Sequence, residues 1–164
     1  MSLETTFDSR TLRNALGRFA TGVTIVTCLD GSGRSVGLTA NSFNSLSLEP
    51  PLVLWSLRRS SASLDAFVAA TRFAVNVLGE AQVDLARRFA SPLADKFAEG
   101  QWAPGLGGLP LLAGCAAVFE CERHSHHEAG DHMLFFGRVL ALAESPIAPL
   151  LFQAGHYRML GEIV

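Results

Sequence analysis

The stretch from Val23 to Thr39 leaves a folding chain little choice. Val23 to Leu29 is β-branched and apolar, Asp30-Gly31-Ser32-Gly33 is a turn signal, and Arg34 to Thr39 is a second strand-like run. Strands joined by so short a connection pair antiparallel, because a parallel return needs a crossover of about a dozen residues. The same signals recur downstream. Pro51 to Leu57 reads as a strand, and so does the alternating Arg72 to Leu78 (RFAVNVL). Two more strands are expected near Ala116–His124 and His132–Ala143, joined by a loop through Glu128-Ala129-Gly130. Helical spacing is confined to short pieces. Leu12, Ala15, Leu16 and Phe19 recur behind a cap at Asp8 or Ser9, and Thr21-Gly22 ends that helix. Leu64, Phe67 and Val68 follow a cap at Ser60 or Ser61, Gln82 to Phe89 is amphipathic, and Ala94 to Ala98 adds a turn. Glycines and prolines make Gly100 to Gly114 a long irregular loop, a length usually tied to function or to covering something. This pattern predicts a mostly β fold, an antiparallel barrel with short flanking helices. A doubly wound parallel sheet would need regular strand–helix alternation, which the hairpins break.

With 164 residues and no repeat or linker, residues 1–164 read as one domain with its core between about 10 and 160. Apolar residues make up 49% and charged ones 17%, a balance that predicts surface hidden in a homo-oligomer. The net charge of −2, without any basic block, argues against a nucleic-acid partner. MSLETTFDSR is polar and acidic, unlike a signal peptide. The longest uncharged run, Gln101 to Phe119, is broken by Pro104, Pro110 and four glycines, which argues against a membrane helix. Cys28, Cys115 and Cys121 are odd in number and lack Cys-x-x-Cys spacing, so free thiols in a reducing cytoplasm are expected.

The chemistry concentrates between Gly37 and Leu57 (GLTANSFNSLSLEPPLVLWSL), where hydroxyls and amides crowd between apolar runs. Such a segment can line a neutral cofactor through many weak hydrogen bonds, or it can be a Ser-rich surface loop. Dinucleotide-fold, phosphate-loop, nucleophile-elbow and metalloprotease signatures are all absent. His124, His126, His127, Glu128, Asp131 and His132 invite a metal reading, since His124 and His126 would share a strand face. Neither a second ligand cluster nor a Cys spacing supports it, and no metal site is assigned.

Taken together, TGVTIVT at 21–27, the Gly37–Leu57 segment and GDHMLFFGRV at 130–139 resemble the short-chain flavin reductases, the small partners of two-component flavin monooxygenases. The resemblance runs from about Arg10 to Leu160. It implies a split β-barrel that dimerises and binds flavin without a dinucleotide fold. It sets Thr39, Ala40, Asn41 and Ser42 against the flavin ring and ribityl chain. Ser56, Leu57 and Arg58, with Ser61 and Ser63, fall at the flavin phosphate, where a helix N-terminus and serine hydroxyls would supply donors. From residue types alone, these serines could equally be helix caps beside a solvated Arg58-Arg59 pair. Arg88 and Phe89 match a family segment that reaches the phosphate, although an exposed helix face would also explain them. The Asp131–His132 turn falls beside the nicotinamide, His132 positioning it and Asp131 orienting the turn or imidazole. Tyr157, next to Arg158, lines the nicotinamide pocket or packs at an interface. The implied activity is NAD(P)H:flavin oxidoreduction, with FMN or FAD and NADH or NADPH, feeding a flavin-dependent monooxygenase. A flavin- or haem-binding module without turnover is the alternative.

Overall fold

A computed structural model describes residues 5–164. Seven strands form one antiparallel sheet: Thr24–Leu29 (β2), Ser35–Ala40 (β3), Asn44–Leu48 (β4), Pro51–Arg58 (β5), Arg72–Val77 (β6), Ala117–Ala129 (β9) and His132–Glu144 (β10). Their spatial order is β3-β2-β6-β9-β10-β5-β4. Thr21–Gly22 (β1), Leu151–Gln153 (β11) and His156–Arg158 (β12) make a small second sheet, and Trp102–Pro104 (β7) pairs with Pro110–Leu112 (β8). Among the described residues there are also three α-helices, Ser9–Leu16 (α1), Leu64–Ala69 (α2) and Val83–Phe89 (α3), and three single 3-10 turns.

The strand order forces the large sheet to curl. Strands β3 and β4 lie at opposite edges, yet only Asn41, Ser42 and Phe43 separate them in the chain. Six strand spacings of about 4.8 Å would hold the edges of a flat sheet about 29 Å apart. Four extended Cα steps reach only about 14 Å. The edges must therefore approach, which closes the sheet into a barrel. No ladder joins β3 to β4 or β5 across this seam. The Ser42 hydroxyl clasps it instead, accepting from the Ser56 N–H at 2.9 Å and donating to the Ser56 carbonyl at 3.0 Å.

Side chains inside the barrel pack around Trp55, which stacks on Phe135 at 4.8 Å and meets Phe67 and Phe73 edge-on. A second apolar layer lies on the outer face of β2, where Ile25, Leu78, Ala86, Phe89 and Leu150 meet beneath α3. Strand β2 is consequently buried from Thr24 to Cys28. Buried Asn76 joins the layers, donating to the Ile25 carbonyl at 2.9 Å and accepting from the Leu112 N–H at 2.9 Å.

The antiparallel barrel and its principal strands match the expectation; several local details do not. Asp8 caps α1 as expected, but the helix ends at Leu16 and Thr21-Gly22 pairs as a strand with β11. Ser63, rather than Ser60 or Ser61, occupies the N-cap of α2, without a side-chain cap bond. The irregular loop between Gly100 and Gly114 contains the β7–β8 hairpin. Strands β9 and β10 each run 13 residues, so Glu128 and Ala129 lie within β9. The turn is compressed onto Gly130 and Asp131, and Gly130 adopts the left-handed φ of 59° that favours glycine.

Candidate flavin site at the barrel seam

A cavity of about 630 Å³ opens at the seam, within the usual range for small-molecule sites. Its wall brings together Thr39, Ala40, Asn41 and Ser42 from the end of β3 and the link beyond it. Ser56, Leu57 and Arg58 come from β5, Ser61 and Ser63 from the loop before α2, Phe89 from α3, and His132 from β10. These segments converge because the seam sets β3 beside β5, while the β5–β10 register places Arg58 opposite His132.

The hydroxyls differ in what they can offer. Ser42 spends its hydroxyl on the seam, and Thr39 donates to the Ala86 carbonyl at 2.6 Å, fixing α3 against β3. Ser61 accepts from the Ser63 N–H at 3.2 Å, whereas the Ser63 hydroxyl has no hydrogen-bond partner among the described residues. Helix α2 has six residues. Its dipole is correspondingly small, and the anion-binding character of this end rests on hydroxyls, Arg58 and Lys96. Lys96 is half-buried on the same wall and donates to the Phe89 carbonyl at 3.2 Å; burial lowers its pKa. No carboxylate lines the cavity.

His132 begins β10 half-exposed, its Nδ1 2.8 Å from Asp131 Oδ1. A carboxylate can only accept, so Nδ1 carries the proton and Nε2 is the ring nitrogen left for a ligand. The hydrogen bond from His132, followed by its charge, holds the Asp131 carboxyl below the usual carboxylate range. Asp131 itself faces a separate outer cavity with Arg58, Arg59 and Glu128.

Two other sequence-derived residues lie off the main wall. Arg88 turns away from the cavity, donating through Nε to the Lys96 carbonyl at 2.8 Å and through Nη2 to the Asp95 carbonyl. It holds the loop that carries Lys96. Tyr157 lines an adjoining cavity of about 170 Å³ with Thr39, Asn41 and Phe152, and the Arg87 guanidinium lies 5.7 Å from its ring centre. Lys96, Ser91 and Pro92 line the main cavity without having been anticipated. Only folding brings their loop across from β3. In the histidine patch, β9 pairs Ser125 and then Arg123 with consecutive β10 residues, so His124 is the extra residue of a bulge. That bulge breaks the simple alternation that would put His124 and His126 on one face. No group of three or more His, Cys, Asp or Glu among the described residues could hold a metal ion.

A family model described as a flavin reductase like domain matches residues 16–161. The chain belongs to this flavin reductase-like family. The FMN reductase (NADH) SmoA of Agrobacterium fabrum is 45% identical over 150 residues, covering 92% of this chain and 85% of that protein. The flavin-dependent monooxygenase reductase subunit HsaB of Mycobacterium tuberculosis is 44% identical over 153 residues, covering 92% and 81%. The NADH:FAD oxidoreductase SgcE6 of Streptomyces globisporus, solved with NAD and FAD fragments, superposes with a TM-score of 0.90 at 39% identity, covering 98% of both chains. The chain also spans about half, 52%, of a longer probable flavin reductase from Rhizobium meliloti that is 46% identical. The split barrel with its seam cavity is thus the architecture of a flavin reductase-like domain.

Proposed function

We propose that this protein is an NAD(P)H:flavin oxidoreductase that reduces FMN or FAD and supplies the reduced flavin to a separate monooxygenase. The observation that carries this reading is the seam cavity, rich in hydroxyls, without a carboxylate in its lining, and bordered by Arg58, Lys96 and His132. The donor set fits a flavin. Main-chain groups of Thr39 to Ser42 can match the alternating donors and acceptors of its pyrimidine edge, and Arg58, Ser61, Ser63 and Lys96 can hold its phosphate.

Bound flavin supplies the two-electron acceptor chemistry for a hydride from reduced nicotinamide. The protein's work is positional. Leu57 and Phe89 give the cavity apolar floor, while the clasped Ser42 holds Asn41 and Ser56 at a fixed separation. His132, oriented by Asp131, presents Nε2 to the nicotinamide and sets its approach. Direct hydride transfer requires no general acid or base, so proximity and orientation are the main contributions.

The resemblance to a monooxygenase reductase subunit supports the partner, and three buried free cysteines support a reducing cytoplasmic setting. No helix among the described residues is long and apolar enough to cross a membrane. The protein is a homodimer with flavin near the subunit interface. Leu16, Phe19, Met159 and Leu160 are exposed, and the Ala154 N–H bonded to the Gly17 carbonyl ties their two segments together near the Tyr157 cavity.

The test is NADH and NADPH consumption by the purified protein with FMN and with FAD, alongside its visible spectrum. Flavin-dependent oxidation of either nicotinamide is expected. A haem Soret band without nicotinamide oxidation would establish the binding-module alternative.

A further inference from the structure

The main cavity continues beyond Lys96. A second cavity of about 330 Å³ adjoins it, and the two share Ala62, Ser63, Pro92 and Lys96 in their walls. Resting on the flavin reading above, we propose that the site is built for the dinucleotide FAD in preference to FMN. The second phosphate passes Lys96, and the adenine lies in the second cavity against Val36, Leu93 and Phe97.

Three observations carry this. Lys96 stands at the junction, with Nζ donating to the Phe89 carbonyl at 3.2 Å and lying 3.5 Å from the Gly37 carbonyl. An ammonium has three donors, so at least one remains for a diphosphate oxygen at the point where the two cavities meet. The second cavity, like the first, has no carboxylate in its lining, and Lys96 is its one charged group. Its wall is also held open. Phe97 is pinned by Phe89 at 5.0 Å and by Trp102 at 4.7 Å between ring centres. Gly37 leaves space for both phenyl rings, since a Cβ there would stand 2.9 Å from Phe89 and 3.1 Å from Phe97. The result is a fixed apolar slot with one hydroxyl, Ser35, at its edge, which suits the face of a purine. A ligand ending at the first phosphate would leave this slot empty.

Equilibrium titration of the purified protein with FAD, FMN and riboflavin tests the proposal, with Leu93→Glu and Ser35→Glu as variants. Both positions are exposed, so neither substitution burdens the barrel core. The wild type is expected to bind FAD at least tenfold more tightly than FMN, and each variant to bring that ratio within about twofold of unity. Equal wild-type affinities for FAD and FMN overturn the proposal and leave the reductase reading standing. That result would also follow if the slot received the adenosine of the nicotinamide. Variants that weaken FAD and FMN equally overturn it too. Failure to bind any of the three flavins removes the reductase reading, and this proposal with it.

Discussion

Ser63 and Ser42 are both seam-cavity serines, but the surroundings give their hydroxyls different duties. The Ser63 hydroxyl has no hydrogen-bond partner among the described residues, and Ser63, with Lys96, lines both the main cavity and its neighbour. Ser63→Ala should therefore weaken FMN binding by about 1.5–3 kcal/mol, the range for hydrogen bonds to charged groups, and leave riboflavin nearly unchanged. Comparative titration with the two flavins would show this, and an equal loss for riboflavin would place the phosphate elsewhere. His132 makes a different prediction. His132→Ala should raise the KM for reduced nicotinamide and slow stopped-flow flavin reduction, with flavin affinity close to wild type. Unchanged nicotinamide KM and reduction rate would remove His132 from the site. Motif likeness singled out TANS and Gly-Asp-His as candidates in the sequence, and Thr39 to Ser42 and His132 line the seam cavity. It could not show that Ser42's hydroxyl is consumed by Ser56 or that Arg88 points to a loop carbonyl, because both depend on partners 14 and seven residues away that only the fold brings into range.

At the scale of elements, hairpins with tight turns were readable, and elements defined by a distant partner were not. The β2–β3 hairpin announces itself through Asp30-Gly31-Ser32-Gly33. The end of β9, Glu128 and Ala129, reads as loop because its side chains are exposed; its strand character comes from pairing with β10. Strand β4 is similar, since Leu46 and Leu48 are exposed and a register shift between Ser45 and Ser47 disturbs its alternation. The seam between β3 and β5 has an element-scale consequence. Ser42→Ala should lower stability by about 1–3 kcal/mol, because the Ser56 N–H and carbonyl both lose their hydroxyl partner in a half-buried setting. Ser42→Thr, which restores the hydroxyl, should recover most of the loss. Urea denaturation midpoints would measure both, and an alanine variant as stable as wild type would mean that the clasp contributes nothing.

For the whole molecule, the exposed apolar residues near the Tyr157 cavity predict a dimer, so sedimentation at micromolar concentration should give twice the monomer mass. A monomer with and without flavin would contradict it. The cysteines predict the alkaline limit of stability. Burial pushes the thiols of Cys28, Cys115 and Cys121 up from 9.0 to about 12. The unfolded chain releases these protons first, so their contribution is complete below pH 9 and is lost as the pH rises towards 12. Melting temperature should fall across that window, and Cys121→Ala should make the fall shallower. An identical slope in the variant would assign the alkaline loss to other groups.

The seam also governs how the molecule breathes. Elsewhere around the barrel, opening a gap between neighbouring strands means breaking a row of backbone hydrogen bonds, but at the seam the line is bridged by the Ser42 hydroxyl on β5 and by the three-residue link from β3 to β4. Thermal fluctuation concentrates where the fewest bonds must break. The barrel's softest line therefore runs through the wall of the seam cavity, and on the proposed reading a reduced flavin departs by a local parting of the two edges while the aromatic core around Trp55 stays shut.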